Sequence, residues 1–230
     1  MGKDAFDRTA AMVDAGLDVV FIDVAHAHTR DVIGTVSHIR QQRSSEVQIV
    51  AGNVMTADAA RSLVDAGADA IKIGICNAGR QISGVGMPPF TAVLQVAEQC
   101  AMMGVPAIAG GGIKDAAALA KAIGAGAESA VIDHLFAGAD EAPGQIVYHG
   151  DHAYKLVHPA SKAPSRSSAP STAHDPYLFD GEMADISTPY RGDVAHVVQQ
   201  LLGGLKSAMA YSGSKDVQAM IENAEFVRIK

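Results

Sequence analysis

Residues 64–74 read Val-Asp-Ala-Gly-Ala-Asp-Ala-Ile-Lys-Ile-Gly. A helical tail closes on Gly67, and a short apolar run follows at once. The same succession recurs at 13–23, VDAGLDVVFID, and at 123–133, IGAGAESAVID. The glycine in each is the residue that takes the left-handed conformation past a last helical turn without a Cβ penalty. The run after it is apolar without alternation, as in a strand buried on both faces. Two further runs fit between these three: Val47-Gln48-Ile49-Val50-Ala51-Gly52 and Val105-Pro106-Ala107-Ile108-Ala109.

Working outward, helical patterns separate the five strands, roughly at 5–14, 29–43, 56–66, 90–103 and 114–124. Phe6, Ala10 and Val13 stand at helical spacing. Thr56, with Asp58 opening an Ala-rich run, reads as a capped start. Strands alternating with helices predict a parallel sheet covered by helices. A repeat of about 25–30 residues per unit is the rhythm of a (β/α)8 barrel. The predicted fold class is therefore α/β, of TIM-barrel type, but incomplete. Five of eight strands are found, and the chain opens on a helix. An open parallel sheet exposes apolar edges, so a second chain, another copy or the C-terminal region is expected to cover them.

After Phe136 the pattern changes. Val147-Tyr148 and Tyr154-Lys155-Leu156 flank His149-Gly150-Asp151-His152, which reads as a short hairpin. Residues 158–176 are rich in Pro, Ser and Ala and read as a flexible loop or linker. Helices are predicted near 191–209 and 214–224, and Phe226-Val227-Arg228-Ile229 reads as strand-like. The expected division is 1–145, a partial barrel; 146–190, hairpin plus flap; and 191–230, C-terminal helices that complete the barrel domain.

Composition narrows the partners. The chain has 230 residues, enough for one domain with a real core, and 48% of them are hydrophobic with no Trp. The core must be built from Ala, Val, Ile and Leu. A net charge of −7 argues against nucleic acid as a main partner. It leaves open a small anion held by backbone amides. Cys76 and Cys100 form no CxxC, so neither zinc nor a disulfide framework is expected. His26 and His28 lie two apart near Asp23, but nothing else suggests a metal, and none is expected. No apolar run reaches membrane-spanning length. MGKDAFDRT lacks a hydrophobic signal core, so a cytoplasmic address is expected.

Several stretches together carry a family resemblance: AGLDVVFIDVAHAHT (15–29), VQIVAGNVMTADAA (47–60), AGADAIKIGI (66–75), GVGMPPFTAV (84–93), VPAIAGGGI (105–113), LFAGADEAPG (135–144), RGDVAHVVQQLLGGLKSAMAYSG (191–213) and ENAEFVRI (222–229). In these the chain resembles the IMP dehydrogenase / GMP reductase family. The resemblance implies a (β/α)8 barrel, usually a homotetramer. This chain would begin at the helix before the fourth strand, without the first three units and without a regulatory insert. It implies NAD or NADP as cofactor and a purine nucleotide as substrate. The partner would be a second copy, or a chain that supplies the missing strands.

In that family a Cys on the loop after the sixth strand attacks C2 of the purine, hydride passes to the cofactor, and a flap residue activates water. Carried over, Cys76 is the nucleophile, Arg80 keeps the family spacing to Gly84, and Tyr177 stands in the flap. A small residue capping the strand is the other reading of Cys76. The Gly-rich segment that in the family precedes the Cys and helps bind potassium is missing here, which puts a monovalent-cation site in doubt. Asp23, His26, Asn53 and Lys72 match family positions lining the nicotinamide side. Each also has a structural reading: Asp23 bonded to loop amides, Asn53 capping a turn, Lys72 paired with a carboxylate. Gly111 and Gly112 offer backbone amides to a phosphate.

Other positions depart from the family. Gly110 stands where the family carries the Asp that holds the ribose hydroxyls. Asp133 and His134 stand where it carries Gly-Ser. Val157 and Pro176 replace flap residues. Three readings follow: a divergent purine-nucleotide oxidoreductase, an altered enzyme with another ligand, or a catalytically lapsed paralogue or fragment kept for assembly or regulation.

Overall fold

The computed structural model of the chain describes residues 5–43, 47–74, 84, 86–157 and 186–228. Its contacts divide the chain into two compact units, 1–132 with 203–230, and 133–202.

The first unit alternates helix and strand: α1 (Ala5–Asp14), β1 (Val19–Asp23), α2 (Arg30–Arg43), β2 (Gln48–Val54), α3 (Ala57–Asp65), β3 (Ala70–Ile73), α4 (Pro89–Met103), β4 (Ala107–Gly110), α5 (Ala116–Gly124) and β5 (Ser129–Val131). The five strands form one sheet in the order β1-β2-β3-β4-β5, and every pairing is parallel. This is the expected curled half of a barrel. Local chemistry sets the boundaries. Thr56 Oγ1 accepts the Ala59 amide at 3.3 Å and Asp115 Oδ1 accepts that of Ala118 at 2.7 Å, so each cap satisfies an otherwise orphaned donor. Gly16, Gly67 and Gly126, one per repeat, sit at φ 97°, 110° and 102°. A Cβ at Gly67 would also come within 2.7 Å of Arg40 Cγ, so no other residue fits.

Arg40 of α2 holds the entry end of the sheet. Its guanidinium donates to Gly67 O at 3.0 and 2.9 Å and to Val47 O at 3.1 Å, and it pairs with Asp69. Asp69 in turn accepts the Ile49 amide at 2.6 Å. One planar fork thus ties the starts of β2 and β3 to a helix.

Strand register sorts the two faces. Ile49, Ile71 and Ile73 are fully buried, and with Leu63, Val36 and Val96 they make the densest core, between sheet and helices. The other face carries Phe21, Asp23, Val50, Gly52, Lys72, Ile108, Gly110 and Val131, which neighbour one another through the pairings. At its two margins this face is open: Phe21 is 56% exposed and Val131 37%. In a closed barrel both side chains would be packed into the interior. The exposed margins expected of an open sheet are present.

After β5 the first unit resumes within α7 (Val194–Tyr211) and ends with α8 (Val217–Asn223). Gly204 of α7 lies against Ala116, where a Cβ would meet that of Ala116 at 2.3 Å. The strand expected over 226–229 does not form over its described part, 226–228. Phe226 instead packs edge-on against Phe90, centroids 4.8 Å apart. Its apolar pattern serves packing on a helix rather than a sheet ladder.

The second unit holds α6 (His134–Ala137) and an antiparallel sheet of β6 (Ile146–His149), β7 (His152–Val157) and β8 (Ile186–Pro189). The hairpin is where the sequence predicts it. The third strand is additional. Lys155 is buried and donates to the carbonyls of Ala139 and Asp140, the latter at 3.0 Å. Tyr190 donates to Asp140 at 2.8 Å, and that bond raises the phenol's pKa. Among the described residues no helix is long and apolar enough to cross a membrane.

Candidate active site at the strand ends

The carboxyl ends of β1, β2, β3 and β4 converge on one ion pair. Lys72, penultimate in β3, points to the open face and is buried, its side chain 11% exposed. Its Nζ lies 2.7 and 2.8 Å from the two carboxylate oxygens of Asp23, the last residue of β1. β2 lies between them, and the path exists because Gly52 stands there. A Cβ at Gly52 would meet Lys72 O at 2.4 Å and Lys72 Cβ at 2.6 Å. On the other side, a Cβ at Gly110 would come within 2.9 Å of Lys72 Cε and 3.0 Å of Ile73 O. Gly74 closes the end, with Gly110 O only 2.0 Å from where its Cβ would stand. Gly52 and Gly110 thus form a slot for one lysine side chain, and Gly74 lets the two strand ends approach.

Asp23 is half exposed, and Lys72 engages both of its oxygens. A carboxylate oxygen has two lone-pair sites, so an oriented acceptor pair still faces outward. Asn53 sits beside it at the tip of β2. Its backbone is zipped to the loop after β1, its amide donating to Val24 O at 2.8 Å and its carbonyl accepting from Ala27 at 2.9 Å. Its Oδ1 is buried, with no hydrogen-bond partner among the described residues. A buried amide oxygen left so is a strong acceptor awaiting a donor. His26 is exposed. His28 turns to Ser62 Oγ at 3.4 Å, away from a shared ligand set. No group of three or more metal-binding side chains occurs among the described residues.

Gly111 and Gly112 follow β4 with φ of 77° and 78°. Two successive left-handed residues turn the backbone sharply before α5, a conformation that suits glycine. Asp133 is exposed just after β5, and His134 opens α6. Cys76, Arg80 and Tyr177 lie outside the described residues. The other cysteine, Cys100, is fully buried in α4. Burial, with the Glu128 carboxylate adding to it, pushes its thiol up to about 11. It is therefore a neutral packing group, without the thiolate a nucleophile needs.

The structure thus brings Asp23, Lys72 and Asn53 to one end of the sheet and leaves His26 exposed nearby. The glycine slot was missed in the sequence. Its signal was there: Gly52, Gly74 and Gly110 stand in or next to the ends of three apolar runs, and a lysine interrupts one of them.

Comparison with known proteins places the chain in a family. The profile of the IMP dehydrogenase / GMP reductase domain matches residues 1–230. Inosine-5'-monophosphate dehydrogenase of Aquifex aeolicus is 39% identical over 239 residues, covering 99% of this chain and 48% of that protein. The Mycobacterium tuberculosis enzyme of the same name is also 39% identical, covering 100% of this chain and 46% of that protein. Among solved structures, a cysteine-to-alanine variant of GMP reductase from Trypanosoma brucei superposes with a TM-score of 0.81 at 35% identity, over 100% of this chain and 47% of that one. The chain spans about half the length of the relatives it matches. It belongs to the IMP dehydrogenase / GMP reductase family.

Proposed function

We propose that the chain carries the cofactor side of an NAD(P)-dependent oxidoreductase acting on a purine nucleotide, on a barrel completed by three further parallel units. Those units come from sequence outside these 230 residues or from a second chain. The proposed address is cytoplasmic, and a homo-oligomer is the proposed assembly.

The observation that carries this reading is the Asp23–Lys72 pair beside the orphaned Asn53 Oδ1. The donor set fits a nicotinamide cofactor. A carboxamide and ribose hydroxyls present N–H and O–H donors, and this corner offers an oriented carboxylate and a bare amide oxygen. When bound, NAD(P) supplies the hydride acceptor or donor. Asp23 and Asn53 bind and orient it. Lys72 fixes the carboxylate through both of its oxygens, and the glycine slot keeps Lys72 in place. Cys76 is the proposed nucleophile, with Arg80 and Tyr177 as its proposed partners. Gly111 and Gly112 are the proposed contacts of the nucleotide phosphate.

The test is calorimetric titration of the chain with NAD and NADP, alone and with IMP or GMP. Saturable cofactor binding that Asp23→Asn weakens about tenfold or more supports the reading. Heat that is unchanged in Asp23→Asn removes it.

One observation favours a second reading, that of a scaffold with another ligand. The position expected to hold the ribose hydroxyls is Gly110, and Lys72 Cε fills the space a side chain there would enter. A nucleotide would lose two charge-assisted hydrogen bonds at that point, each worth roughly 1.5–3 kcal/mol. On this reading the preferred ligand lacks a ribose diol at that place, and a base or nicotinamide alone outcompetes its nucleotide in the same titration. A third reading, a catalytically lapsed paralogue, predicts no saturable binding of any of these compounds.

A further inference from the structure

The sheet has a cavity on the face opposite the ion pair. It has a volume of about 250 Å³ and lies between α4, the turn after β4, and α5. By strand parity Ala109, in its wall, faces the helices, whereas Gly110 and Lys72 face the open side. Phe90, Val93 and Ile113 supply apolar walls, and Ala118 and Ala122 are the small residues on α5 that leave the space. Phe226 fixes the Phe90 ring from behind, edge-on, so that wall is preformed. Among the described residues Lys121 is the one charged residue in the lining, and it is exposed at the rim. The carboxylate closest in sequence, Asp115, is committed to the α5 cap through Ala118 N at 2.7 Å.

We infer that this cavity is a binding site for a small aromatic monoanion, an aryl carboxylate, whose ring sits against Phe90 and Ile113 and whose carboxylate reaches Lys121. Size, wall chemistry and charge each select that class. The volume lies just below the roughly 300–1,000 Å³ of sites for drug-sized ligands, so a bicyclic ring fills it. An apolar lining with a single polar anchor is how such sites fix orientation. In a chain of net charge −7, a cation as the lone charged lining residue selects an anion over a cation or dication. The Asp23–Lys72 corner takes no part. Gly111 and Gly112, the proposed phosphate contacts, also line the cavity, but the ring and Lys121 contacts do not rest on the oxidoreductase reading.

The experiment uses the full chain with alanine methyls labelled for NMR, titrated with 2-naphthoate and with its neutral amide. Saturable shifts of the Ala118 and Ala122 methyls by naphthoate are expected. Lys121→Ala, an exposed site that leaves the fold intact, should weaken naphthoate roughly fivefold, the effect of a rim charge, and leave the amide unchanged. Ala118→Leu should abolish both by filling the cavity. If that variant does not fold, Lys121→Glu decides, because it must lower naphthoate affinity further than Lys121→Ala. The inference is overturned if naphthoate gives no saturable shift, if the shifts map elsewhere, or if the Lys121 variants bind it as the native chain does.

Discussion

Removing either member of the Asp23–Lys72 pair breaks the same two hydrogen bonds, yet the two losses should differ. Lys72 is 11% exposed and Asp23 50%. Asp23→Ala strands an ammonium in a glycine slot that offers it no other carboxylate among the described residues. Breaking a fully buried pair in this way costs about 3–5 kcal/mol. Water reaches the Asp23 side, so a discounted value of about 2–3 kcal/mol is expected. Lys72→Met keeps a straight chain of nearly the same volume in the slot and leaves a carboxylate that water can solvate. Its cost should stay below about 1 kcal/mol, since the carboxylate left behind is half exposed and is not an uncompensated buried charge. The double variant should then resemble Lys72→Met, about 1–2 kcal/mol more stable than Asp23→Ala alone. Urea unfolding at neutral pH measures all three, compared at equal m-value. If Lys72→Met proves the more damaging single change, or if the two costs add, the slot does not hold the lysine as described.

Other outcomes follow from the same geometry. Gly110→Ala forces Lys72 Cε and Ile73 O apart from a Cβ at 2.9 and 3.0 Å and should cost about 1–3 kcal/mol by overpacking, while Lys72→Ala in the same chain should recover part of it. Urea midpoints of the single and double variants check this. Leu63, fully buried between α3 and the sheet, should lose about 2–5 kcal/mol on Leu63→Ala in the same assay. Cys100 sets a pH dependence. Its folded-state pKa, about 11, lies above the unfolded value of 9.0, so its contribution is full below pH 9 and is lost as pH rises toward 11. The slope should be at most about 1.4 kcal/mol per pH unit in that window, and denaturation curves of Cys100→Ala across the window should lack it.

Much of the fold was legible because local signals and packing agree. Gly16, Gly67 and Gly126 end helices and Thr56 starts one, and each does so in three dimensions. Strands of a parallel sheet announce themselves as apolar runs, and β1 to β5 appear where those runs fall. Legibility failed where partners are distant or the pattern has two uses. The strand β8 follows a Pro- and Ser-rich segment and contains Pro189, so only its pairing with β7 reveals it. Phe226 and Val227 look like a strand, but Phe226 finds a ring on α4 instead of a neighbouring strand. In the site, Asp23 and Lys72 were legible as strand-end residues. Their bond spans 49 residues and depends on glycines whose value lies in the side chain they lack. Gly110 reads in the sequence as the loss of an acid. In space it is also the wall of a slot.

The central claim is that the strand-end corner of Asp23, Asn53 and Lys72 binds a nicotinamide cofactor. The most direct measurement is a calorimetric titration of the chain with NAD and NADP, run in parallel on Asp23→Asn and Asn53→Ala. Saturable binding of at least one cofactor is expected, weakened about tenfold or more in Asp23→Asn, which removes a charged acceptor worth about 1.5 kcal/mol or more, and severalfold in Asn53→Ala, which removes a neutral one worth about 1 kcal/mol. Binding that both variants retain at native affinity, or no binding to the native chain at millimolar cofactor, would contradict it.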